Sequence, residues 1–257
     1  NFKFLPYLAI YLIHYIFLFM SEWILKKTLL SQKLNAKSFI ITLLIVVVVS
    51  LVTAMAMNPF WPVYSLFVAN PNLVFDHHQY YRLWTTLFVH GGLEHISSNM
   101  LLFIPFAIYL INYYGLIFFP IEGIFIGGII NFIVLKTMPS QVSLIGISGV
   151  VHWMGAAWIT LFFLIDKRIT PLPRFIKAFG VALILFVPNT FSENISYSSH
   201  LVGFILGIFS GIFYYYRNQK RIHQFEVYEQ VFTDEIEEFV EPEIELSDNS
   251  DEHKYLH

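Results

Sequence analysis

Ser148 lies between glycines in Gly146-Ile147-Ser148-Gly149, at the head of a long apolar run ending at Ile165. A serine hydroxyl is a weak nucleophile until a neighbouring base takes its proton. The candidate base is the imidazole of His200, at the head of another apolar run. His95 opens a third, and Asn99 follows four residues later, on the same face if the segment is helical. These residues can act together only if the elements carrying them hold all four at one depth.

Composition says what those elements are. The chain is 56% hydrophobic and only 13% charged, outside the range of soluble globular domains. Its apolar residues are gathered into runs of about the length a bilayer demands. With no cysteine, disulfides and thiolate metal sites are excluded. The net charge of −3 hides a division. From His223 onward there are twelve acidic residues against Lys254 alone, whereas the preceding chain holds fourteen Lys and Arg against six Asp and Glu.

Six spans are expected: Phe39 to Met57, His95 to Tyr113, Leu116 to Leu135, Ser148 to Ile165, Ile176 to Phe191 and His200 to Tyr216. Phe4 to Met20 reads as an extra N-terminal helix, spanning or lying in the interface, rather than a signal peptide, since no small-x-small cleavage site follows it. Between Asn58 and Glu94 comes a connection too long for a hairpin loop. Its Trp61, Tyr80, Tyr81 and Trp84 suit short helices sunk partly into one leaflet. The organisation is therefore an N-terminal helix and basic linker over 1–37, a membrane domain over 38–217 and an acidic tail over 218–257. The tail is expected to begin as an amphipathic helix, with Phe225, Tyr228, Phe232, Ile236 and Phe239 near helical spacing, and to be disordered beyond Pro242.

Positive charges orient the bundle. Lys26, Lys27, Lys33 and Lys37, then Lys167, Arg168, Arg174 and Lys177, then Arg217, Lys220 and Arg221 fall on alternate connections, while the other side has only Arg82 and Lys136. The positive-inside rule puts the eleven, and the acidic tail, in the cytoplasm. His95, Ser148 and His200 then all enter the membrane from the external face, within the first turn of their spans. Polar side chains at that depth are functional candidates by default. His200, Gly203, Gly207 and Gly211 recur at steps of three and four, a stripe that lets another helix backbone come close. Gly149, Gly155 and Ala156 offer an opposing surface on the Ser148 span. Singly these signals are weak, because glycine stripes usually only pack and Gly-x-Ser-Gly is common. Their coincidence at one depth is what carries weight.

The motifs His90-Gly91-Gly92-Leu93-Glu94-His95-Ile96-Ser97-Ser98-Asn99, Gly146-Ile147-Ser148-Gly149 and His200-Leu201-Val202-Gly203-Phe204-Ile205-Leu206-Gly207 resemble, in order and spacing, those of the rhomboid intramembrane serine proteases. The resemblance covers about Phe39 to Arg217. It implies an all-α membrane fold with a six-helix core, in which Ser148 is nucleophile and His200 general base. It also implies that His95, Asn99 and the Ser148 amide stabilise the tetrahedral oxyanion, that His90 braces the external loop and that Arg82 anchors it. The implied substrates are transmembrane segments of other membrane proteins, entering laterally from the bilayer and cut by a Ser-His dyad without metal or cofactor. The fifth span, with Pro188, and the loop Ser192 to Ser199 are the candidate gate. Family members often carry an aromatic residue four positions after the serine, stacked on the base. Here that residue is His152, which can stack or hydrogen-bond.

Two other readings set the tests. An inactive relative that binds transmembrane segments would be marked by loss of the serine or histidine, and both are present. A metal or haem site built from His77, His78, His90, His95, His152 and His200 lacks partners at helical spacing, since adjacent His77 and His78 diverge on a helix. Nothing in the sequence points to nucleic acid.

Overall fold

The computed structural model describes residues 21–186 and 196–232. Phe4 to Met20, residues 187–195 of the candidate gate and the tail beyond Phe232 lie outside the described residues. The chain forms two compact units, Lys27–Glu226 and the segments flanking it.

The larger unit is helical. Its elements are α1 (Ala36–Met57), the short α2 (Val63–Phe67) and α3 (Arg82–Thr85), α4 (Leu93–Tyr114), α5 (Gly123–Leu135), α6 (Ser148–Ile165), α7 (Pro171–Phe186), α8 (Tyr197–Arg217) and the short α9 (Gln219–His223). A wide turn over Ile117–Glu122 leads into α5. Among the described residues, five helical stretches are long and apolar enough to cross a membrane: Ala36–Met57, Leu93–Tyr114, Ile117–Leu135, Ser148–Ile165 and Tyr197–Arg217. The protein is an integral, multi-pass membrane protein with a polytopic helical bundle. α7 begins at Pro171, earlier than the expected Ile176, because proline suits the first helical position, where its missing N–H is not needed.

α1 shows how a lipid solvent inverts the usual pattern. Asn35 caps it, its side-chain oxygen accepting the Ser38 N–H at 2.9 Å. Its buried positions are Ser38, Thr42, Val49, Thr53 and Ala56, small or polar, while Phe39, Ile40, Leu43, Leu44 and Leu51 are exposed. Apolar side chains gain nothing by leaving hydrocarbon, so small residues that let helices approach take the inner face.

α6 is the central helix. Trp153, Met154, Ala156, Ala157 and Leu161 on it are fully buried, and the Trp153 indole N–H donates to Ser210 Oγ of α8 at 3.0 Å. The long connection between α1 and α4 docks on α5. Trp84 lies over Gly128, where a methyl group would be only 2.4 Å from the indole, and Asn131 Nδ2 donates to the Leu83 carbonyl at 2.7 Å. Arg82, buried, donates from one guanidinium nitrogen to the carbonyls of Ser65 at 2.8 Å and Val68 at 2.7 Å. That is the anchoring expected of it.

In the smaller unit β1 (Ser21–Lys27) pairs with β2 (Val227–Phe232). The expected amphipathic helix through Phe225, Tyr228 and Phe232 is therefore not formed over the described residues. Val227-Tyr228-Glu229-Gln230-Val231-Phe232 is rich in β-branched and aromatic residues, and β1 supplies the ladder such a segment needs. The near-helical spacing of its aromatics was coincidental.

Candidate active site

Ser148 is the first residue of α6 and is half-buried. The preceding turn depends on Gly146, whose φ of +102° is in the left-handed region that favours glycine. The same residue sets the neighbourhood. A methyl group at Gly146 would lie 2.9 Å from His95 Cε1 and Nε2 and 3.7 Å from Asn99 Nδ2. The absent side chain is what lets α4 bring both groups against the backbone leading to Ser148.

His200 is buried near the start of α8. Ser196 caps that helix, accepting the Ser199 N–H at its side chain. The glycine stripe places α8 directly on α6. A methyl group at Gly203 would stand 2.1 Å from the Gly149 carbonyl oxygen, and one at Gly207 2.4 Å from that of Trp153. Only glycine permits backbones this close. Ser148 adjoins Gly149 and His200 lies one turn before Gly203, so the crossing is tightest beside the two residues. No hydrogen bond joins Ser148 to His200 among the described residues.

His152 stacks on His200, with ring centroids 3.9 Å apart and planes 12° from parallel. Its Nδ1 lies 2.8 Å from the Ser148 carbonyl oxygen. Since that oxygen can only accept, Nδ1 carries the proton. The histidine thus both stacks and hydrogen-bonds, taking the place of the usual aromatic. Tyr197 stands edge-on to His200, centroids 6.4 Å apart.

The donor side is equally specific. The Gly91 N–H donates to His95 Nδ1 at 3.4 Å, which makes Nε2, the nitrogen facing Gly146, the protonated one in neutral His95. Asn99 is buried, and its Nδ2 has no hydrogen-bond partner. Buried amide donors are normally satisfied, so this one, beside Gly146 and bonded to no protein group, is free to meet an acceptor there.

His90 ties the site to the outer part of α1. Its Nε2 accepts the Ile147 N–H at 3.5 Å. Its Nδ1 then donates to Thr53 Oγ1 at 3.0 Å, and that hydroxyl donates to the Phe88 carbonyl at 3.0 Å. Burial first, and His95 beside it second, push His90 down to about 4. The brace expected of His90 therefore reaches the residue before Ser148. Thr53 was overlooked in the sequence; a hydroxyl inside the apolar run Phe39 to Met57 was the available signal. The four imidazoles pair as rings, His90 with His95 and His152 with His200. Among the described residues no three His, Asp or Glu side chains converge as metal ligands would.

A family model described as a rhomboid domain matches residues 77–217, which include all four candidate residues and their braces. No curated protein matches the chain significantly.

Proposed function

The chain belongs to the rhomboid family, and on that premise we propose that it is an intramembrane serine endopeptidase acting by a Ser148–His200 dyad on transmembrane segments of other membrane proteins. Ser148 Oγ attacks the scissile carbonyl as His200 takes its proton. The carbonyl oxygen becomes an oxyanion met by His95 Nε2–H, Asn99 Nδ2–H and the Ser148 amide. His200 returns the proton to the leaving amine. A water then hydrolyses the acyl-enzyme, with His200 again as base and the same donors holding the second oxyanion.

The observation that carries this reading is the buried, unpartnered Asn99 Nδ2 beside Gly146. No protein group bonds it, so this donor is already oriented beside Gly146 to meet an acceptor that forms during the reaction, as electrostatic catalysis requires. The stacked His152 supports it by holding the His200 ring, where no carboxylate among the described residues does so. An open Ser148 to His200 contact is compatible with it, because catalytic hydrogen bonds often close only around substrate.

The distribution of lysines and arginines supports a site opening to the external face and an acidic tail in the cytoplasm. The domain organisation proposed is a membrane domain over 38–217, preceded by a hydrophobic N-terminal segment with a basic linker and followed by the acidic tail. Fluorophosphonate labelling of the full chain in vesicles tests the chemistry. Labelling of the wild type, lost in Ser148→Ala and His200→Ala, is the expected result. A chain that is never labelled, yet retains single-span membrane proteins, belongs to the inactive, binding class instead.

A further inference from the structure

Four hydrogen bonds lace the backbone that leads into Ser148 to the external connection. The Leu144 N–H donates to the Ala69 carbonyl at 2.7 Å. Thr86 Oγ1 donates to the Leu144 carbonyl. The Gly146 N–H donates to the Thr86 carbonyl at 3.1 Å, and the Ile147 N–H to His90 Nε2 at 3.5 Å. Two of the four belong to Thr86, which is fully buried. One residue thus grips both sides of Ile145, through its hydroxyl and its own backbone.

What it grips decides the geometry of the oxyanion donors. Gly146 is the backbone against which His95 Nε2 and Asn99 Nδ2 rest, and the Ser148 amide is two residues further on. Resting on the protease reading above, we infer that Thr86 is a positioning residue of the oxyanion site: its hydroxyl sets the register of residues 144–146, and through Gly146 the distances from the donors to the reacting oxygen. It touches no substrate. Its effect passes through the loop. The Leu144 carbonyl is buried with the residue and keeps only its antiparallel bridge to Ala69 once the hydroxyl is gone, so the side of the loop toward Gly146 is free to shift. A displacement of that kind is small in the ground state and large in catalysis, because oxyanion stabilisation depends steeply on donor distance.

Thr86→Val keeps the shape and removes only the hydroxyl. In the full chain in vesicles, cleaving a single-span reporter, it is expected to lower kcat by roughly ten- to a hundredfold with KM little changed. Thr86→Ser, which keeps the hydroxyl, restores turnover to within a few-fold of wild type. The decisive readout is a cycle with Asn99→Ala. If Thr86 acts through the donors, adding Thr86→Val to Asn99→Ala costs far less than it does in the wild type; independent, multiplying losses overturn the inference. Should Thr86→Val fail to fold, Thr86→Cys, a weaker donor, serves in the same cycle with an intermediate loss expected and the same overturning result. A wild type that shows no Ser148-dependent cleavage overturns the protease reading, whereas an active wild type matched by Thr86→Val overturns this inference alone.

Discussion

Replacing Gly203 by alanine adds one methyl group where α8 lies directly on α6. That methyl would stand 2.1 Å from the Gly149 carbonyl oxygen, 3.1 Å from its carbon and 3.4 Å from the Trp153 nitrogen. All three neighbours are backbone, so no rotamer change relieves the clash. To regain ordinary van der Waals separation the two helices must part by roughly 1 Å or more. The stability cost of such overpacking is about 1–3 kcal/mol, which a bundle of this size can absorb. The catalytic cost is larger, because Gly149 adjoins Ser148 and His200 is one turn from Gly203. A misplacement of about 1 Å between reacting groups can cost on the order of a hundredfold in rate. Gly180 on α7 is the control, since a methyl there meets nothing within 4 Å. Cleavage of a single-span reporter in vesicles, with thermal unfolding measured in detergent, separates the two effects. Gly203→Ala should unfold a few degrees early and lose most turnover, and Gly180→Ala should keep the wild-type unfolding temperature. Wild-type turnover in Gly203→Ala would refute the idea that this crossing holds the dyad.

Asn99→Ala, which removes one proposed oxyanion donor, is expected to lower kcat by about two to three orders of magnitude with KM little changed, as steady-state cleavage will show. His152→Phe keeps a ring on His200 but not the bond to the Ser148 carbonyl, and should stay within about tenfold of wild type; His152→Ala, without the stack, should fall clearly below it in the same assay. His90 is neutral in the folded protein and is held down to about 4. The unfolded chain takes up that proton at its ordinary value, so stability falls as pH drops from about 6.5 toward 4 and then levels, by up to roughly 3 kcal/mol. Unfolding temperatures between pH 7.5 and 4 should show this slope in wild type and a weaker one in His90→Gln.

Much of the bundle was legible because hydrocarbon imposes length and polarity rules on every span, as Phe39 to Met57 and Ser148 to Ile165 show. The meeting of His200 with the Ser148 helix was legible from the glycines, whose missing side chains have one physical use in a membrane. The lacing by Thr53, Thr86 and Asn131 was not, because a single hydroxyl or amide in an apolar run names no partner. Each bonds a carbonyl dozens of residues away, and backbone carbonyls leave no mark in a sequence. The strand Val227–Phe232 was misread for a related reason. Its partner, Ser21–Lys27, lies about two hundred residues earlier, and a strand is specified as much by its neighbour as by its own residues.

The backbone contact of α8 on α6 also governs what can move. Side chains between helices act as bearings, hopping between rotamers as the helices slide; here Gly203 meets backbone, and at Gly207 the nearest side chain is the Ala156 methyl, which has no rotamers. Sliding by less than a full turn would drive carbonyl oxygens into Cα atoms. The two helices therefore behave as a single keel, and Ser148 and His200 travel together on it. On the protease reading, admission of a substrate falls to elements that hinge around that keel, and closing the Ser148–His200 contact needs only side-chain rotation.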